Sequence, residues 1–146
     1  MRDRVVCYIT RGRSELLVFE HGDPGLEAGL QVVAGGIEPG ETLEQAAVRE
    51  TWEEAGLKLE NPRFLGTLTL DQPPGTPGRG KPEAWHFWLE APADTPNAWK
   101  HTVLNGGDAG LVYNQRFVPL DDVRLDWNLD AKLETLRSSP TLEEQP

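Results

Sequence analysis

Residues Gly35–Leu57 read GGIEPGETLEQAAVRETWEEAGL, a glycine-rich turn that runs into a helix crowded with glutamates. Thr42 is placed to cap the helix start, and Gln45 three residues on completes a capping box. Gly56 stands where a helix closes on a left-handed residue. At about 100° per residue, Ala46, Ala47, Glu50, Glu53 and Glu54 all fall within about 80° of Leu43. The first half of that stripe is apolar, and the second half, on the same side, carries three carboxylates. A solubilising pattern would put them on the opposite side, where Gln45, Arg49 and Trp52 project instead. Like charges three and four apart repel by roughly 0.2–0.5 kcal/mol per pair. Moving them inward costs far more unless something positive neutralises them. Hard divalent cations take carboxylate oxygens, so the helix is predicted to hold metal.

Working outward, Arg4–Thr10 (RVVCYIT) and Glu15–Glu20 (ELLVFE) are β-rich runs around a glycine-containing turn, a hairpin pattern. Leu30–Ala34 (LQVVA) is a third short strand, and Arg63–Asp71 and Ala84–Glu90 are two more. Between these last two, DQPPGTPGRGK is rich in glycine and proline and reads as a mobile loop. A polar loop at Asn105–Asp108 precedes the apolar-rich stretch Leu111–Leu120, and Leu129–Leu136 reads as a C-terminal helix. Strands, a helix, more strands and a last helix make an α/β fold, a mixed sheet flanked by helices. A single domain is expected over residues 1–137, with 138–146 (SSPTLEEQP) as a disordered tail.

The 146 residues suit one core, and 12 Pro with 15 Gly imply many loops. No apolar run approaches the roughly 20 residues that span a bilayer, and the N-terminus lacks a signal-peptide cleavage site. Membrane partners are not expected, and a cytoplasmic location is. The single cysteine, Cys7, excludes an internal disulfide and reads as a small buried hydrophobe. A net charge of −10 makes a poor binder of long nucleic acid. A small phosphorylated substrate fits if metal supplies the positive charge.

Gly35, five residues, Glu41, seven residues, Arg49-Glu50, then Glu53-Glu54 before Gly56-Leu57 resembles the Nudix box. Every charged and glycine position matches, and Thr51 departs from the bulky aliphatic usual there. Its near-isosteric relation to Val implies a small packing loss and intact chemistry. The resemblance implies a Nudix-type α/β/α sandwich and hydrolysis of a nucleoside diphosphate linked to another group. It implies that Glu50, Glu53 and Glu54 bind Mg²⁺ or Mn²⁺, that the Gly35 carbonyl completes the shell, and that Glu41 and Arg49 pair. Metal-activated water would attack phosphorus while a carboxylate takes the proton. Glu53, Glu54, Asp108 and Glu83 are the candidates for that base.

Glu38 is either a loop charge or a supporting partner. Arg79 and Lys81 in the Pro-rich loop are candidates for gripping substrate phosphates. His21, His86 and His101 are scattered and read as structural. Trp85 and Trp88, three apart on a strand, face opposite sides. Trp52 points away from the glutamates and, with Val48, offers an outward apolar patch for a possible homodimer. On size, with 34 residues before the box, a nucleoside triphosphate or dinucleoside polyphosphate is favoured over an ADP-sugar. Pro73, sixteen residues past Leu57, resembles a spacing of ADP-ribose enzymes, though prolines are common there. The rivals are a nucleotide-sensing Nudix-fold module without catalysis and a structural Ca²⁺-binding domain. The latter lacks an EF-hand spacing.

Overall fold

The computed structural model describes residues 3–22, 29–69, 82–105, 109–121, 123–125 and 129–138. The expected hairpin is β1 (Arg4–Arg11) and β2 (Glu15–His21), turning through Gly12 and Arg13 with φ of 63° and 62°. The third strand, β3 (Val33–Gly36), starts later than the pattern LQVVA suggests, because Gln31 makes only an isolated bridge to Phe19 on its way to β1. Helix α1 (Leu43–Ala55) begins and ends where its caps require. Thr42 and Gln45 exchange both capping-box bonds, and Gly56 takes φ 74° with its N–H on the Trp52 carbonyl.

Strands β4 (Arg63–Thr69) and β5 (Glu83–Glu90) fall on the two predicted runs, and a register shift between Phe64 and Gly66 interrupts the alternation of β4. Strand β6 (Ala98–Thr102) was not expected, since AWKHT alternates between exposed and half-buried positions and carries no apolar stripe. Strand β7 (Val112–Pro119) fills the apolar-rich stretch. Helix α2 (Leu133–Ser138) starts later than predicted because a turn occupies residues 129–132, and it ends on Ser138, the first residue of the expected tail.

Among the described residues the sheet has seven strands, ordered β4-β5-β1-β2-β7-β6, with β3 paired to β1 off that path. β1 and β5 run parallel and the other pairs are antiparallel, so the sheet is mixed. Period-two alternation splits the core. Val5, Cys7, Ile9 and Phe87 pack with Ala46, Ala47 and Ala55 of α1 on one face. Val6, Tyr8, Ala84 and Trp88 pack with Leu133 and Leu136 of α2 on the other. Trp88 is therefore core while Trp85 lies half-buried on the α1 side, the opposite placement expected from their spacing. Cys7 is buried and free, its thiol toward the Ala47 carbonyl.

One topological detail creates the site. β1 and β2 pair only at Thr10–Leu16 and Arg11–Glu15, and then part. The inner half of β1 pairs with β3 instead, through Arg4–Gly36 to Cys7–Val33. Residues 31–36 thus wedge open the hairpin, and α1 leads directly out of that wedge. Among the described residues no helix is long and apolar enough to cross a membrane.

Candidate active site

Small residues let α1 lie close to the sheet: Ala46 and Ala47 are fully buried. The next turns carry charge into the same environment, and Glu50, Glu53 and Glu54 are only 7%, 6% and 8% exposed. Thr51 is fully buried, and its hydroxyl donates to the Ala47 carbonyl one turn back at 2.8 Å. That bond satisfies the extra polar atom and explains how threonine fills an aliphatic position.

Arg49 corrects the helical-wheel reading. It does not project away from the glutamates; its long side chain swings back across them. Its Nε and Nη2 donate to Glu41 at 2.7 and 3.0 Å, and its Nη1 to Glu50 at 2.8 Å and Glu53 at 3.0 Å. Nη2 also donates to the Gly36 carbonyl at 2.8 Å, tying helix to wedge. Glu38 stands 3.8 Å from the same guanidinium, and its N–H donates to Glu41. The hydrogen bond from Arg49 pulls the Glu41 carboxyl below its usual range, and Glu41 in turn holds the guanidinium proton more firmly than usual.

Burial pushes the Glu50 carboxyl above its usual range, against the pull of Glu54 and Arg49. Glu54 accepts the Ala34 N–H at 3.2 Å. Glu50 and Glu54 lie within hydrogen-bonding reach of each other, a contact between carboxylates that asks for a shared proton or cation. Gly35 makes room for this cluster, since a Cβ there would overlap the Glu50 carboxylate.

Glu41, Glu50 and Glu53 share the Arg49 guanidinium, three carboxylates on one cation, with Glu54 beside them on the Ala34 amide. Among the described residues no group of three His, Cys, Asp or Glu side chains is arranged to hold a metal ion, and the Arg49 guanidinium stands among Glu41, Glu50 and Glu53. The chemistry of the donors fits nonetheless: hard oxygens, buried, on one helix face beside a glycine cradle. Gly35→Ala is expected to push the Glu50 carboxylate out of place and cost about 10²-fold in turnover. Circular dichroism should still report a folded protein, and full activity would remove the cradle from the account.

A cavity of about 330 Å³ opens in the wedge, with Glu54 on its wall. Phe19 and Tyr113 stack at 4.1 Å and 9°, and His21 meets Tyr113 edge-on at 4.9 Å. Arg4 and His86 come from β1 and β5 on the same face. Among the described residues Arg4 Nε, His21 Nδ1 and His86 Nε2 are buried without hydrogen-bond partners, and these three residues line the cavity. An unpaired buried polar atom costs about 1–3 kcal/mol, so the cavity is set for a polar occupant. Two histidines read from sequence as structural therefore line the candidate site. The signal for His86 was in AWHFWLE, where it sits between Ala84 and Trp88 on the apolar stripe.

His86 also carries a pH signature. Burial is the main cause holding its ring neutral, assisted by the Lys132 and Arg4 charges, with a pKa lowered from 6.5 to about 4. The unfolded chain takes up that proton first, so stability is complete above pH 6.5 and falls as the pH drops toward 4. By pH 4.5 this residue should account for on the order of 2–3 kcal/mol of lost stability. Urea melts of wild type and His86→Gln at pH 7 and 4.5 check this, and equal acid losses in both would exclude it.

Asp108, Arg79 and Lys81 lie outside the described residues, as do the rest of the Pro-rich loop, Pro73 included, and residues 139–146 of the tail. Glu83 accepts the Thr69 hydroxyl at 2.9 Å, and its N–H bonds Asp3; it does not line the cavity. His101 places Nε2 at 2.8 Å from the Glu53 carbonyl, behind the carboxylates.

Residues 1–137 match the model of the NUDIX domain family. Over 61 residues the chain is 49% identical to the NAD-capped RNA hydrolase NudC of Chromobacterium violaceum, a stretch covering 41% of this chain and 22% of that protein. Over 34 residues it is 56% identical to the NAD-capped RNA hydrolase NudC of Salmonella agona, covering 23% and 13%. The chain thus spans less than a quarter of the length of the curated relatives it matches. The MutT NUDIX hydrolase of Burkholderia pseudomallei superposes with a TM-score of 0.67 at 19% identity, over 92% of this chain and 96% of that one. The NUDIX domain of Shewanella oneidensis NrtR complexed with ADP ribose gives 0.63 at 14%, over 94% and 86%. At those identities the likeness is one of fold.

Proposed function

Because this chain belongs to the Nudix hydrolase family, we propose that it uses Mg²⁺ or Mn²⁺ to cleave a pyrophosphate bond in a nucleoside diphosphate linked to another moiety. One observation carries the reading: Glu54 belongs both to the buried carboxylate cluster and to the wall of the cavity. A substrate whose nucleoside fills the cavity would bring its phosphates to the glutamates. Glu50, Glu53 and Glu54 would hold the metal, with the Gly35 carbonyl beside them. A bound divalent ion supplies a lowered water pKa and a clamp on phosphate oxygens. Glu41 and Arg49 keep the loop against the helix. Glu53 or Glu54 is the proposed base, with Asp108 as the candidate outside the cluster, and Arg79 and Lys81 are proposed to grip phosphates.

The stacked Phe19–Tyr113 pair and the polar cavity atoms suit a nucleobase or a similar planar ring. Dinucleotides of the NAD type come first, supported by the names of the relatives with the higher identity, with ADP-ribose and ADP-sugars as the alternative. Nucleoside triphosphates and dinucleoside polyphosphates come second. The net charge of −10 gives little purchase on an RNA body, so the proposed substrate is a small nucleotide. A single domain over 1–137 acting in the cytoplasm is part of this reading, with a homodimer through the exposed Trp52 as its oligomeric form.

The rival is a nucleotide-sensing module without catalysis, and the intact carboxylate set favours the enzyme. Incubating a panel of these nucleotides with Mg²⁺, with Glu53→Gln as control, separates the two. Products of phosphoanhydride cleavage, each ending in a phosphate, are expected from wild type alone. Tight binding without turnover on any compound would establish the sensor instead.

A further inference from the structure

Glu53 and Glu54 occupy the last turn of α1, and no basic residue accompanies them there. The last four carbonyls of a helix lack internal partners and carry the negative end of its dipole. Acidic side chains at that end are doubly disfavoured, so the turn should fray or its carboxylates should wander. It is instead capped carbonyl by carbonyl. The Gly56 N–H donates to Trp52 at 3.0 Å. The Leu104 N–H donates to Glu53 at 3.2 Å, and His101 Nε2 donates to the same carbonyl at 2.8 Å. Gln115 Nε2 donates to Glu54 at 2.8 Å, and Trp99 Nε1 to Ala55 at 3.0 Å.

The three side chains among these donors come from one place. Trp99 and His101 are alternate residues of β6, and Gln115 lies opposite Trp99 on β7. Gln115 is 2% exposed and reaches the Glu54 carbonyl from the sheet. A methyl on Gly56 would meet His101 Nδ1 at 2.9 Å, so the helix end and the ribbon are fitted closely. A packing role alone would be served by apolar side chains. Three N–H donors on successive carbonyls do something else: they offset the dipole's negative end and fix the backbone from which two of the glutamates project.

We infer that the β6–β7 ribbon is a positioning device for the metal-binding carboxylates, with Trp99, His101 and Gln115 as positioning residues acting through the Glu53, Glu54 and Ala55 carbonyls. The inference rests on the metal reading of Glu50, Glu53 and Glu54. A prearranged cluster loses less freedom when a cation enters, and donors behind metal ligands commonly govern affinity by 10–100-fold.

The test is Mn²⁺ titration of the full chain, followed by calorimetry or electron paramagnetic resonance, alongside melting of the metal-free protein. Gln115→Met is expected to weaken Mn²⁺ binding by about 10-fold. Its metal-free melting temperature should stay near that of wild type, since Gln115 Oε1 is itself buried without a partner among the described residues and methionine removes it. Gln115→Glu, which turns an acceptor toward the Glu54 carbonyl, should weaken binding further. A merely structural role would lower the melting temperature and leave affinity unchanged, and that result overturns the inference. Should Gln115→Met fail to fold, Trp99→Phe keeps the packing and removes the indole N–H, and unchanged affinity there overturns it equally. If wild type takes up no Mn²⁺, or Glu54→Gln takes up as much, the metal reading itself falls and the ribbon's role falls with it.

Discussion

Glu54→Gln is expected to slow pyrophosphate hydrolysis by about 10²–10⁴-fold, the range for losing a positioned proton acceptor. The substitution keeps the shape, and glutamine can still accept the Ala34 N–H that now bonds Glu54 at 3.2 Å. What it removes is one negative charge at the point where the carboxylate cluster meets the cavity. The cavity's stacked wall is untouched, so the loss should appear in kcat with KM little changed. The metal-free variant should also melt higher than wild type. Glu50 and Glu54 lie against each other in a buried setting, and one fewer charge relieves that contact. Steady-state kinetics on the best compound of the nucleotide panel, with thermal melts in chelator, check both halves. A variant that retains full turnover would remove Glu54 from the chemistry.

Arg49→Leu should have the largest effect on stability. The guanidinium serves Glu41, Glu50, Glu53 and the Gly36 carbonyl. Breaking a buried ion pair from one side costs about 3–5 kcal/mol. With the arginine side chain 21% exposed, the lower end applies, about 3 kcal/mol. For a domain of this size that is roughly 6–12 °C in melting temperature. Divalent cation should restore part of the loss, because it supplies charge to the carboxylates that Arg49 leaves unpaired, and ligand binding to the native state adds stability. The diagnostic is the gain on adding Mg²⁺: larger in the variant than in wild type. Equal gains would mean that Arg49 and the cation do not answer the same charges.

Much of this was legible in the chain because it depended on local rules. The capping box at Thr42 and Gln45, the left-handed stop at Gly56 and the β-rich runs that become β1, β2 and β5 are short-range and appear where expected. The burial of Glu50, Glu53 and Glu54 followed from 3.6-residue periodicity. Helical periodicity misjudged Arg49, because it fixes the direction of Cα–Cβ and not the reach of a four-bond side chain drawn back by three carboxylates. His86 was under-read because its partner groups, Arg4 and Lys132, are far away in sequence. Strand β6 was missed because an edge strand with alternately exposed residues needs no apolar stripe; its pairing with β7 defines it.

The sequence by itself determined the family, the helix and its three buried carboxylates, since these rest on fixed spacings within one turn-and-helix segment of 23 residues. Only the tertiary structure decided that the hairpin is wedged open into a cavity, that Glu54 faces both cavity and cluster, and that β6 and β7 cap the helix end. Those features join residues 20 to 80 positions apart, as Ala34 to Glu54 and Arg4 to Ala84 do. Such contacts are set by strand order and register, which the pattern of any single segment does not encode.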